Sequence, residues 1–177
     1  REYAHILSRL RKGRKTVVGH WQDPKTLERI AVWQRVAAAW ADSQDMRIIR
    51  FGDQMNNVAV TDGDKVEAEI RFGFHVDYVP FSEVMTYFEK VEDKAVDELV
   101  QVYFNEYDHA PELEDKTTVA YKKVWNSAKA EITLRAVLEA YGAKAFTSNF
   151  DDLGDVNVEE TGKGFDQIPG LASQRLM

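Results

Sequence analysis

His5, His20, His75 and His109 are the four histidines of the sequence, and none lies three or four residues from another. No helix face can therefore offer the paired imidazoles of a helical metal site. Each reads as a surface or packing residue. There is no cysteine, which excludes disulfides, thiol nucleophiles and thiolate metal sites. Acidic residues are plentiful, but the group Asp151, Asp152, Asp155, Glu159 and Glu160 falls in a glycine-containing stretch that reads as a solvated, mobile loop. Gly13 and Gly19 make no phosphate cradle, and no Gly-x-Ser-x-Gly elbow occurs. A nucleotide-binding α/β domain is thus a weak reading.

The more informative residues stand after apolar runs. In open α/β sheets, ligands bind beyond the carboxyl ends of the strands. Two such ends carry distinctive sets, Arg50-Phe-Gly-Asp-Gln-Met55 and Phe146-Thr-Ser-Asn-Phe150. Gly52 allows a sharp turn, and Asp53 can hold it by accepting from nearby N–H groups. Met55 and Phe150 are large apolar groups placed just past these ends. Two readings remain open from the pattern: walls of a pocket for a small ligand, or loop residues folding back on the core.

The elements needed to position these residues can be traced along the chain. Lys15–His20 reads as a buried strand. Asp23-Pro24 opens a helix that carries Leu27, Ile30, Ala31, Gln34, Val36, Ala37, Ala38 and Trp40, and Met46–Gly52 returns as a second strand. Together they predict a βαβ unit with parallel strands. Residues 64–72 fit a strand by alternation and a helix by the Asp62-Gly-Asp64 cap, with helix slightly favoured. His75–Val79 reads as a strand ended by Pro80. Ser82 is expected to cap a helix to about Val91. A helix over 93–107 carries Val96, Leu99, Val100, Tyr103 and Tyr107 on one stripe. A long helix over 118–140 turns Val124, Ala128, Ile132, Leu134 and Leu138 inward and stops at Gly142. Lys144–Asn149 reads as a strand, and a last helix starts at Leu171. The pattern predicts one α/β domain over 1–177: an open, mostly parallel sheet flanked by helices, Rossmann-like and three-layered.

The 177 residues suffice for a real core, and the formal net charge of -7 argues against a nucleic-acid partner. The basic cluster Arg9–Lys15 reads as a solvated helix end and turn. No apolar run approaches the roughly 20 residues that span a bilayer, and no signal peptide is visible. The absence of cysteine fits a cytoplasmic protein. The chain starts at Arg1 and stops at Met177 inside a helix-like run, so both ends read as cut from something longer.

Four blocks carry a family resemblance. They are Lys15-Thr-Val-Val-Gly-His-Trp-Gln-Asp-Pro24, Arg50–Met55 with Asn57–Val66, Ala145–Leu153, and Leu171-Ala-Ser-Gln-Arg-Leu-Met177. In this order and with these gaps the chain resembles the middle section of the L-arabinose isomerases, over nearly its whole length. The resemblance implies a metal-dependent aldose–ketose isomerase that converts L-arabinose to L-ribulose and, in many members, D-galactose to D-tagatose. It implies manganese as cofactor, a cytoplasmic homo-oligomer with active sites near subunit contacts, and a small sugar as the molecule bound.

Residue by residue, what carries over is the apolar side of the substrate site: Met55, after Phe-Gly-Asp, and Phe150, before the acidic pair. The family's two glutamate and two histidine metal ligands are expected beyond Met177, and a histidine lining the sugar site before Arg1. No catalytic or metal-binding residue is therefore expected in this chain, no manganese is expected to bind to it, and alone it is expected to be inactive. Two features depart from the pattern: Pro80 stands where many relatives have a glycine-rich turn, and 155–166 resembles an insertion. Both bear on Phe150 more than on Met55. The competing reading is a free-standing sugar-binding or assembly module without catalysis. A coding frame continuing past Met177 into glutamate and histidine ligands would separate the two.

Overall fold

The structure, a computed structural model, describes residues 2–149, 151, 165 and 169–177. The contacts group the chain into two compact units, Arg1–Gln44 and Asp45–Met177, beside the single domain expected from length.

The first unit holds α1 (Glu2–Arg9) and α2 (Pro24–Ser43). Asp23 caps α2 as expected: its carboxylate accepts from the Lys25 N–H at 3.2 Å and the Thr26 hydroxyl at 3.0 Å, with Pro24 at the first helical position. Gly19 passes so close to this cap that an added Cβ would stand 1.9 Å from Thr26 Oγ1. Thr26 is the only buried residue of α2, while Leu27, Trp33, Val36 and Trp40 are about half exposed. The strand expected over Lys15–His20 is absent, and with it the βαβ unit. Val18 is 80% exposed. Two valines make a run compatible with a pleat, but only a neighbouring backbone supplies the hydrogen bonds of a ladder. None of the described residues of this unit supplies one.

The second unit is an open parallel α/β sheet flanked by helices, the class expected from the pattern. Its strands are β1 (Arg47–Phe51), β2 (His75–Val79) and β3 (Ala145–Ser148), ordered β2-β1-β3 with both pairings parallel. Ile49 and Phe51 project to one face, where both are buried. Burial of such side chains contributes about 1.5–3 kcal/mol each. Gly52 ends β1 at φ 76 and its N–H still bonds to the Val79 carbonyl at 3.0 Å.

Residues 64–72 form a helix, α3 (Lys65–Phe72). Asp64 accepts from the Glu67 N–H at 2.8 Å, and Gly73 closes the other end at φ 81. The alternation that suggested a strand marked no buried face: Val66 is 69% and Ile70 75% exposed. Local caps at both ends decide the conformation.

Among the described residues, the unit also holds four further α-helices: α4 (Phe81–Phe88), α5 (Asp93–Glu106), α6 (Val119–Tyr141) and α7 (Gly170–Leu176). Ser82 does not cap α4; the cap position is Pro80, and no side chain bonds there. Proline fixes the extended φ of a cap residue, so the helix starts one residue ahead of the serine. α6 packs against α4, α5 and α7. It starts at Thr118, whose hydroxyl accepts from the Tyr121 N–H at 3.0 Å, and stops at Gly142 in the left-handed region. Of the positions expected inside, Ala128 and Leu134 are buried; Val124, Ile132 and Leu138 are half-buried. Tyr121, Ser127, Ala130, Glu131, Thr133 and Val137 are buried as well. A helix enclosed on several sides has no single stripe to read.

One cluster joins Ile49, Phe51 and Val79 of the sheet to α4, α6 and Ala172; a second joins Val96, Val100 and Tyr103 of α5 to Tyr121 and Ala128. The loop expected over 151–165 lies mostly outside the described residues. Asp151 is exposed, whereas Phe165 is 6% exposed and meets Phe81 edge-on at 5.0 Å.

After α5, the His109 ring lies tilted by 31° against Phe104 with centroids 4.5 Å apart. Its Nδ1 lies 3.0 Å from the Tyr107 carbonyl and its Nε2 2.9 Å from the Glu114 carboxylate. Both neighbours accept, so only the imidazolium donates to each. The Tyr107 carbonyl first, then Glu114, holds the His109 pKa above its ordinary 6.5. A raised folded pKa contributes stability that is complete below about pH 6.5 and is lost as pH rises through the folded value. Glu114→Gln is therefore expected to lower the denaturation midpoint at pH 5.5 and to leave it unchanged at pH 9. Equal losses at both pH values would refute the assignment.

Candidate substrate-binding cleft

The carboxyl ends of β1 and β3 lie side by side, since Phe51 is in register with Ser148. Beyond them opens a cleft of about 210 Å³ lined by Arg50, Asp53, Met55, Thr147, Ser148 and Asn149, among others. Typical small-molecule pockets begin at about 300 Å³, so this is the volume of part of a site. A wider cleft of about 880 Å³ lies in the first unit against Ile30, Trp33 and Ala37 of α2. Its lining offers the Gln34 amide and two cations but no acid or hydroxyl side chain among the described residues, and we place the candidate site at the sheet.

Local bonding shapes the segment after β1. The Asp53 carboxylate accepts from the Gln54 N–H at 2.8 Å, the turn-holding role its type suggested, and from Arg50 Nη2 at 3.0 Å. The Met55 N–H donates to the Thr61 hydroxyl at 3.1 Å, and the Val58 N–H to the Met55 carbonyl at 3.1 Å. At the end of β3 the Asn149 amide donates to the Asp53 carbonyl at 2.9 Å and accepts from the Asp151 N–H at 2.8 Å. Asn149 thereby ties the two strand ends together across the cleft.

Met55 lines the cleft and is half-buried. Phe150, its expected partner wall, lies outside the described residues. Thr147, Ser148 and Asn149 were visible in the sequence only as part of a block; their shared cleft follows from the β1–β3 register. Arg50 was likewise unassigned. Its one local signal was a charged residue between two buried apolar positions, Ile49 and Phe51, with Asp53 three residues on.

The carboxylates at and near the cleft are engaged by cations. Lys65 first, and Arg50 to a smaller degree, hold the Asp62 carboxyl, next in the chain to the cleft-lining Thr61, below its ordinary range. Asp53 is engaged by Arg50. No histidine lines the cleft. Elsewhere, His20 accepts from the Gln22 N–H, and His75 lies between Asp45 and Glu69 at 3.6 and 3.3 Å. Among the described residues no three His, Asp or Glu side chains converge as metal ligands. These residues do not fit a metal centre, and no chemical step is derived through one. Among the described residues no helix is long and apolar enough to cross a membrane.

Comparison with known proteins bears on both units. Residues 1–45 match the L-arabinose isomerase N-terminal domain and residues 47–177 the L-arabinose isomerase central domain, a boundary that falls where the two compact units meet. The chain is 66% identical to the L-arabinose isomerases of Phocaeicola vulgatus and Bacteroides thetaiotaomicron, over all of this chain and 34% of each relative. It is 43% identical to that of Flavobacterium johnsoniae, over all of this chain and 33% of the relative. It thus spans about a third of the length of the relatives it matches. On these matches the chain belongs to the L-arabinose isomerase family.

Proposed function

We propose that this chain supplies the scaffold and one wall of the sugar site of a protein that converts L-arabinose to L-ribulose, with D-galactose to D-tagatose as a second reaction. The observation that carries the reading is the cleft at the ends of β1 and β3, which the apolar Met55 lines together with Thr147, Ser148 and Asn149. A sugar has the matching character, since its carbon face is apolar and its rim consists of hydroxyls.

The reaction moves a carbonyl between neighbouring carbons. A proton leaves C2 of the aldose as the carbonyl bond shifts to give an ene-diolate, and a proton is then added at C1 to give the ketose. Met55, joined in this reading by Phe150, packs on the carbon chain and keeps water from the ene-diolate. Thr147, Ser148 and Asn149 orient the hydroxyls. The proton carriers belong to other parts of the whole protein. Manganese, a homo-oligomeric state and a cytoplasmic setting are parts of the same proposal and rest on the family resemblance.

The test compares two proteins under the same conditions, with manganese and L-arabinose. The whole protein is expected to form L-ribulose; the purified 177-residue chain is expected to form none. Ketose produced by the chain alone would overturn the division of labour. Failure of the whole protein to act on either sugar would overturn the activity.

A further inference from the structure

Arg50 leaves β1 on the face opposite Ile49 and Phe51. Its side chain is 13% exposed, and its guanidinium lies 5.7 Å from the ring of Tyr78 on the adjacent strand. Nη2 donates to Asp53 at 3.0 Å, while Nη1 faces the Asp62 carboxylate at 3.6 Å. One planar group thus reaches both ends of the segment that follows β1, and Met55 lies between those ends. Inside the segment, Met55 is bonded to Thr61 and Val58, so the stretch can shift as a piece. Arg50 ties that piece to the sheet, as does Asn149 on the other side.

Arg50 is also incompletely paired. Among the described residues, Nε meets no hydrogen-bond acceptor and Nη1 has only the Asp62 carboxylate, at an ion-pair distance of 3.6 Å, although both are shut off from solvent. Buried polar groups are nearly always satisfied, and an exception calls for a reason. A side chain serving stability alone would be replaced at little loss by an apolar one, as its strand neighbours are. Here the fork geometry is needed, because a guanidinium can engage two carboxylates where an ammonium acts as a single point.

We propose that Arg50 is a positioning residue, holding Asp53 and Asp62 against the sheet and thereby setting where Met55 stands in the cleft. The proposal deepens the sugar-isomerase reading and rests on it. Arg50 acts through Met55 and does not carry protons, so its loss weakens substrate binding more than turnover.

The experiment uses the whole protein with L-arabinose as substrate. Arg50→Ala is expected to raise KM about tenfold while kcat changes less than about threefold, the signature of lost uniform binding. Arg50→Lys, able to hold one carboxylate, is expected to recover part of the loss, to about threefold. In a Met55→Ala background, Arg50→Ala is expected to raise KM by less than about twofold, because the group it positions is gone. A KM within about twofold of the parent for folded Arg50→Ala, or an undiminished rise in the Met55→Ala background, would overturn the proposal. If circular dichroism shows Arg50→Ala unfolded, Asp62→Asn replaces it, because Asp62 is half exposed. That variant is expected to raise KM about threefold, and an unchanged KM overturns the proposal. Hydrogen exchange over residues 53–62 reads the clamp without turnover. It is expected to quicken when the clamp is removed, and unaltered exchange overturns the proposal even if the parent proves to act on another substrate. A parent without isomerase activity would instead overturn the function proposed above.

Discussion

Met55→Asp is expected to lower kcat/KM for L-arabinose in the whole protein by about 100-fold, with the unfolding midpoint unchanged. Met55 lines a cleft of only about 210 Å³, so the introduced carboxylate cannot avoid the bound sugar. It would replace an apolar contact on the carbon face with a charge that must be desolvated when substrate enters. It would also bring water to a site from which an ene-diolate requires water excluded. Met55 is half-buried and outside both core clusters, which is why folding is expected to be spared. Met55→Leu keeps the volume and apolar character and is expected to retain most activity. Steady-state kinetics on the two variants check this directly. A Met55→Asp enzyme within about threefold of the parent would remove Met55 from the substrate wall.

A different kind of loss is expected at Glu131, in the middle of α6. This carboxylate is 2% exposed and has three partners: the Tyr103 hydroxyl at 2.7 Å, Arg135 at 2.9 Å and Arg175 at 3.1 Å. Arg175 comes from α7 and also donates to Tyr107 at 3.1 Å and to Glu106, with its guanidinium 5.0 Å from the Tyr103 ring. One carboxylate therefore joins α5, α6 and α7. Burial first, and then Glu131, pushes the Tyr103 hydroxyl far above its ordinary pKa, so it stays a donor. The Arg175 guanidinium is held charged, chiefly by Glu106. Glu131→Ala leaves the buried Tyr103 hydroxyl without its acceptor and takes one of two carboxylate partners from Arg175, which keeps Glu106, and is expected to destabilise the fold by about 2–3 kcal/mol. Glu131→Gln preserves an acceptor and is expected to cost less. Urea denaturation followed by circular dichroism measures both. A loss below about 1 kcal/mol for Glu131→Ala would show that the network contributes little.

How much of this was legible beforehand differs from element to element. The α2 start was readable because Asp23 and Pro24 act on atoms within three residues of themselves. The α3 helix was nearly readable for the same reason, with Asp64 and Gly73 bounding it. The Lys15–His20 strand was misread because strand pairing depends on a partner backbone far away in sequence. Ser82 was misread as a cap because Pro80, two residues earlier, already imposes the backbone angle. In α6, Glu131 gave no warning: a charged residue in a helix is usually solvated, and only the arrival of Tyr103 and Arg175 makes burial tolerable.

The site shows the same division. The two strand-end blocks pointed to Met55 and to Phe150, which lies outside the described residues, and the family resemblance drew on those blocks together with two others. That Thr147, Ser148 and Asn149 share a cleft with Met55 required β3 to pair beside β1, with Phe51 opposite Ser148. By itself the sequence determined the α/β class, the caps at Asp23 and Thr118, the turn after β1, and the family, because each depends on residue types at short spacing or on their order. The tertiary structure alone decided which helix faces are covered, that Glu131 is a buried junction, and that Arg50 ties down the segment bearing Met55. Those outcomes depend on contacts between residues dozens of positions apart, and local propensity carries no information about them.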